Sequence, residues 1–161
     1  MRSFEYYTPT KMIFGKDTHL KIGELLKDYN CHKVLIHYGS ESAVKSGLIH
    51  EISKCLTEAG IDFVTLGGVV PNPRLSKVRE GISLLSERIC GISFWLSVVE
   101  VLLILQKPLA MVLPIHGPMS GIFFLKTEIP NACLPIGAIP TIAASGSEMS
   151  GSCVITNEDG W

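Results

Sequence analysis

The feature that most constrains this chain is an order of segments: an apolar run of strand length, a glycine-marked turn, an amphipathic stretch, then another apolar run. Lys33-Val34-Leu35-Ile36-His37-Tyr38 is the clearest such run, and it gives way to Gly39-Ser40-Glu41-Ser42. Val44, Leu48, Ile49, Ile52, Leu56 and Ala59 then recur at helical spacing as far as Gly60, and Asp62-Phe63-Val64-Thr65-Leu66 is the next strand. Strand, turn, helix and strand make a βαβ unit, whose crossover leaves the two strands parallel. A parallel sheet needs cover on both faces, so the chain reads as α/β.

The rest of the chain extends the pattern. Residues 7–15 read as a short edge-like strand closed by Gly15. Leu20, Ile22, Leu25, Leu26 and Tyr29 predict a helix, and Val78, Ile82 and Leu85 predict the start of another over 76–85. Residues 134–139 read as a buried strand that breaks at Pro140. In open parallel sheets ligands gather at the carboxyl ends of the strands. Three loops fall there: Gly39-Ser40-Glu41-Ser42, Val70-Pro71-Asn72-Pro73, and the run of small and hydroxylic residues from Thr141 to Ser147. Backbone N–H groups and hydroxyls with little side-chain bulk suit nucleotide phosphates or a ribose. The same composition also suits a plain surface turn.

No GxGxxG follows the first strand, so the usual dinucleotide fingerprint is missing. At the strand end, where an acid commonly binds the ribose hydroxyls of NAD, this chain has Gly39. Glycine and serine there leave room and donors for a 2′-phosphate, which favours NADP; the alternative is a tight turn and nothing more.

Size and charge narrow the classes. The 161 residues suit one domain with a real core. A formal net charge of -1, with 18% charged residues, gives no basic excess for nucleic acid. Cys31, Cys55, Cys90, Cys133 and Cys153 are widely spaced without a CxxC pair, as in a cytoplasmic protein with reduced thiols. The first residues lack the apolar core of a signal peptide. Residues 92–115 are nearly all apolar, but Glu100 would lie near the centre of a bilayer and Lys107-Pro108 cuts the run, so a membrane span is disfavoured. His19, His32, His37, His50 and His116 show no metal-like spacing and read as ordinary structural histidines.

Longer blocks carry a family resemblance. They are Pro9-Thr10-Lys11-Met12-Ile13-Phe14-Gly15, residues 34–40, Lys45-Ser46-Gly47-Leu48, the specific run from Gly67 to Gly81, and residues 134–157 with Ser145-Gly146-Ser147-Glu148-Met149. On these blocks the chain resembles the N-terminal half of the iron-containing (group III) alcohol dehydrogenases, in particular the NADP-dependent butanol dehydrogenase branch. The resemblance implies an incomplete Rossmann-like, parallel-sheet nucleotide-binding domain of the dehydroquinate synthase-like fold over residues 1–161. It also implies hydride exchange between NADP and a short alcohol or aldehyde. In the family a second, helical domain holds a divalent metal such as iron through one Asp and three His, and no residue of this chain matches those ligands. Cofactor-facing residues carried over are Gly39, Ser40 and Ser42 on the adenosine ribose side, with Asn72, Thr141, Ser145 and Ser147. No catalytic or metal residue is assigned.

Between about residues 85 and 122 the resemblance lapses. The family has there a strand ending in a Gly-Gly-Gly-Ser turn for the cofactor diphosphate, then a helix. This chain has Phe94-Trp95-Leu96-Ser97-Val98-Val99-Glu100. Synonymous codons shifted by one base let residues 95–122 spell Ala-Val-Gly-Gly-Gly-Ser-Val-Ile-Asp-Ser-Ala-Lys-Ala-Ile onward to Trp-Asp-Phe-Phe. Two compensating frame shifts, near Leu85 and Phe123, would account for the apolar run without a membrane. β-Branched residues resist positive φ and a carboxylate repels phosphate, so cofactor binding is expected to be weak or lost. The chain then reads as a truncated, inactive dehydrogenase. The rival reading is a non-enzymatic nucleotide-binding or scaffold fragment that pairs with a separate C-terminal half. Bare apolar surface, with self-association into a homo-oligomer, is expected in either case.

Overall fold

The computed structural model describes residues 3, 5, 7, 10–39, 41–70, 74–88, 94–98, 135–141, 149 and 155–158. A single 3-10 turn, Thr18–Lys21, runs into helix α1, Ile22–Asp28. Strand β1, Lys33–Tyr38, follows, then the helices α2, Glu41–Lys45, and α3, Leu48–Glu58. Next come β2, Asp62–Leu66, helix α4, Leu75–Arg88, β3, Phe94–Val98, and β4, Ile136–Ile139.

The four strands form one sheet in the order β2-β1-β3-β4, and every pair is parallel. The α/β expectation is therefore met. β1 lies inside the sheet, with Val34, Leu35, Ile36 and His37 all fully buried, as a strand covered on both faces requires. By the alternation of a strand, Val34 and Ile36 share one face. They pack with Ile22 and Leu26 of α1, Ile52 and Leu56 of α3, and Leu96 and Val98 of β3.

Two helices hand over to strands by the same device. After α1, Asn30 takes φ 52, its N–H donates to the Lys27 carbonyl at 2.9 Å, and the Cys31 N–H donates to Leu26 at 3.0 Å. After α3, Gly60 takes φ 71, with Gly60 donating to Thr57 at 3.0 Å and Ile61 to Leu56 at 2.9 Å. Each is a Schellman closure, which satisfies the last carbonyls and turns the chain sharply. The residue just past each turn, Cys31 or Ile61, is buried.

Several sequence expectations change. The single helix read from Val44 to Ala59 is two, because Gly47 at φ 82 breaks it, with its N–H donating to Val44 at 3.0 Å. The predicted strand over 7–15 is not part of the sheet between Lys11 and Phe14; Met12 and Phe14 stand 69% and 97% exposed there. Leu20 and Tyr29, assigned to an apolar helix face, are exposed. In the segment where the resemblance lapses, Phe94–Val98 form a strand that pairs with β1 on one side and β4 on the other. Residues 99–134, which include most of the apolar run, lie outside the described residues. Among the described residues no helix is long and apolar enough to cross a membrane.

Candidate functional site at the carboxyl edge of the sheet

The strand order fixes where a ligand would sit. From β1 the chain first moves outward to β2, then returns past β1 to add β3 and β4. Adjacent connections therefore leave β1 and β3 in opposite directions, the arrangement in which open α/β sheets take ligands at the carboxyl ends of the strands. Register puts Tyr38 level with Val98, and Val98 level with Ile139. Tyr38-Gly39, Val98 and Ile139-Pro140-Thr141 thus share one edge.

Gly39 directly follows β1 and is buried. Its carbonyl accepts from the Gly68 N–H at 3.2 Å, and the Tyr38 carbonyl accepts from Val69 at 3.4 Å. The chain leaving β2 is thereby tied to the end of β1. The Tyr38 ring lies over Gly67 so closely that a Cβ there would stand 2.8 Å from two ring carbons. Gly68 adopts φ 74, a conformation glycine takes without steric cost. Two glycines are needed here for different reasons, one for close approach and one for backbone conformation.

Of the sequence-assigned residues, Gly39 and Thr141 lie at this edge, on strands separated by β3. At the usual strand spacing that separation is roughly 10 Å. Ser42 is exposed within α2, where its carbonyl accepts from the Ser46 N–H at 2.9 Å. Ser40, Asn72, Ser145 and Ser147 lie outside the described residues.

Two groups of side chains went unassigned by sequence reasoning. Lys77, in the first turn of α4, has its Nζ 3.9 Å from where a Gly68 Cβ would be, and it pairs with Glu80 at 2.8 Å. The second group is a clasp. Arg74 forms a parallel bridge with Thr156, and Leu75 N–H donates to the Thr156 carbonyl at 3.0 Å. Glu158 accepts from the Ser76 N–H at 3.2 Å and from Arg74 at 3.3 Å. A carboxylate from far along the chain thus serves one of the N–H groups that the start of a helix leaves without an intrahelical partner. Hydrogen bonding from the Ser76 side chain is the largest cause holding the Glu158 carboxyl below the usual range; burial opposes it, and the Ser76 N–H and the Arg74 charge add to the lowering. Neither group follows a spacing in the sequence; a helix α4 that starts without an acid, separated by six residues from Gly67-Gly68, was the one available hint.

The remaining polar chemistry is structural. His19 pairs with Glu51 at 2.9 Å, fastening the 3-10 turn to α3. Cys31 is buried, its thiol donating to the Lys33 carbonyl at 3.7 Å, and Cys55 is half-buried, with burial raising its thiol. Among the described residues no three His, Cys, Asp or Glu gather as a metal site would need.

Known proteins share this arrangement. The sequence profile of the family described as iron-containing alcohol dehydrogenase matches residues 9–92. The chain is 38% identical over 158 residues to a probable NADH-dependent butanol dehydrogenase 1 of Bacillus subtilis, covering 98% of this chain and 40% of that protein. It is 37% identical to the NADH-dependent butanol dehydrogenase B of Clostridium acetobutylicum, covering 99% of this chain and again 40% of the relative. The crystal structure of the NADH-dependent butanol dehydrogenase A of Thermotoga maritima superposes with a TM-score of 0.90 at 35% identity, over 99% of this chain and 39% of that one. The chain thus spans about two fifths of the length of these relatives. The profile match over more than half of its length makes this chain a member of the iron-containing alcohol dehydrogenase family.

Proposed function

We propose that these 161 residues are the nucleotide-binding part of an NADP-dependent alcohol or aldehyde oxidoreductase of the butanol dehydrogenase type, with the adenosine end of the cofactor at the carboxyl ends of β1 and β2. The observation that carries the reading is the reversal of strand order between β1 and β3, with the buried Gly39 directly after β1 and no acid there to claim the ribose hydroxyls. The matched relatives are named as NADH-dependent, so the preference between the two cofactors is the sharpest part of the proposal. When bound, the cofactor supplies the hydride and this chain supplies its seat.

The two ends of a dinucleotide fit unequally. Gly68, at φ 74 with open space beside it, leaves backbone bare for the adenosine ribose next to the end of β1, where its N–H is bonded to the Gly39 carbonyl. The diphosphate fits poorly. β3 stays a strand through Val98 and is followed in sequence by Val99 and Glu100. In the shifted reading frame the Gly-Gly-Gly-Ser turn falls on residues 97–100, beginning in the last residues of β3, which supports the double frame shift as the origin of this segment. A metal is not accommodated by any group among the described residues, and turnover is assigned to the chain only together with a metal-holding helical part, carried on the same or a separate polypeptide.

NADPH binding, followed by fluorescence or calorimetry, tests the reading. The chain as it stands is expected to bind weakly or not at all, and a variant with Ser97→Gly, Val98→Gly, Val99→Gly and Glu100→Ser is expected to reach micromolar affinity. Micromolar binding by the unaltered chain would overturn the harm ascribed to residues 97–100. Absence of binding in both would overturn the site. The coding DNA gives an independent check, since one-base shifts near the codons for Leu85 and Phe123 must restore the glycine turn.

A further inference from the structure

We propose that Lys77 is the residue by which this chain selects a 2′-phosphorylated adenine nucleotide over its unphosphorylated counterpart, a role that rests on the nucleotide site proposed above. Helix α4 begins Leu75-Ser76-Lys77 and has no acid in its first turn. A cation at a helix N-terminus opposes the helix dipole. Glu80, one turn further on, compensates by holding the ammonium with both carboxylate oxygens, at 2.8 and 3.0 Å. A local rule broken and then patched in this way marks a position kept for something other than helix stability.

Position supplies the second argument. The Lys77 ammonium stands beside the bare face of Gly68, 3.9 Å from where a side chain there would begin. The N–H of the same Gly68 is bonded to the carbonyl of Gly39 at the end of β1. Ammonium, glycine turn and strand end therefore make one corner of the carboxyl edge, on the side where an adenosine ribose would lie. The Lys77 side chain is only 21% exposed, so its amine is directed toward the turn and not spread through solvent. The backbone N–H groups at this helix terminus are already engaged: Leu75 with Thr156, Ser76 with Glu158, and Lys77 with the Arg74 carbonyl at 3.1 Å. An anion arriving at the corner meets the ammonium and not the helix terminus. A phosphate dianion would take the place of the Glu80 carboxylate on that ammonium, an exchange of one anion for another with no covalent step. Lysine suits this as a compact point charge.

The test uses nucleotides that lack the diphosphate bridge, so the altered segment after β3 does not enter. The full chain, labelled with nitrogen-15, is titrated with adenosine 2′,5′-bisphosphate and with adenosine 5′-monophosphate, using the Gly39 and Gly68 amides as reporters. The bisphosphate is expected to bind about tenfold tighter. Lys77→Met should collapse that ratio to near one, and Lys77→Arg should keep it within about threefold. Glu80→Gln, which releases the ammonium, should tighten bisphosphate binding about threefold. The amide spectrum of each variant reports whether it is folded. A preference that survives Lys77→Met overturns the role of Lys77 while leaving the nucleotide site standing. Equal binding of the two nucleotides overturns the NADP preference together with the role of Lys77. No shift of either glycine amide with either nucleotide overturns the site itself, and the proposal with it.

Discussion

A methyl group on Gly23 would stand 2.8 Å from the Ala59 Cβ and 2.9 Å from the Cys55 carbonyl oxygen. One of those neighbours is backbone, so α1 would have to lift away from α3. Gly23→Ala is expected to lose about 1–3 kcal/mol to overpacking, less the roughly 1 kcal/mol that alanine returns within a helix. The net loss is about 0–2 kcal/mol, so the urea midpoint is expected to stay level or fall, and a raised midpoint would refute the close packing. Gly60→Ala makes a useful contrast, because space is open there but φ is +71; its cost of roughly 1–2 kcal/mol is one of conformation. Glu158 brings in pH. Its carboxyl is held low by Ser76 and Arg74, so the clasp contributes fully above the ordinary glutamate value of about 4.3. That contribution fades as pH falls through the lower folded-state value. Melting temperature followed from neutrality into acid should therefore fall less steeply in Glu158→Gln than in the parent chain, and parallel curves would show that the clasp does not titrate.

Among the elements, β3 is the most informative. Its residues come from the part of the chain that departs from the family, yet Leu96 and Val98 are fully buried between β1 and β4. Aromatic and branched side chains suit a pleated, covered surface whatever their origin. Leu96→Ala should cost about 2–5 kcal/mol if the strand is docked, and a change below 0.5 kcal/mol, about the level of an ordinary surface substitution, would mean that it is not. The sequence announced β1, β2 and β4 through short apolar runs bounded by glycine, lysine or proline, and their parallel pairing followed from the helix between β1 and β2. The break between α2 and α3 was hidden, since the helical spacing of Val44, Leu48, Ile52 and Leu56 passes straight through Gly47 and only its positive φ separates them. Leu20 was misplaced for another reason. The helix starts as a 3-10 turn, whose tighter winding rotates side chains off the face that a 3.6-residue period assigns. At the site, Gly39 and Thr141 were legible because they end strands. Lys77 and Glu158 were not, because each takes its meaning from a partner that only the folded chain supplies.

For the molecule as a whole, Met12 and Phe14 stand exposed in a segment outside the sheet, with Tyr7 82% exposed nearby in sequence. Apolar surface of this kind favours association. Light scattering after size exclusion should report a mass above one chain, shifted toward the monomer in a Met12→Ser, Phe14→Ser double variant; a monodisperse parent monomer would refute it. The strand order also bears on how the chain is made. Among the described strands β1 comes first in the sequence, and its first neighbour, β2, follows after a short helical crossover. Contacts between segments close in the chain form at low entropic cost. The β1–β2 half with α1 and α3 is thus able to nucleate early, while β3 and β4 must wait for later sequence to arrive. A fault that rewrites the chain from the last turn of α4 onward leaves that early nucleus untouched, and a nascent chain carrying such a fault would form the β1–β2 half before the altered residues were translated.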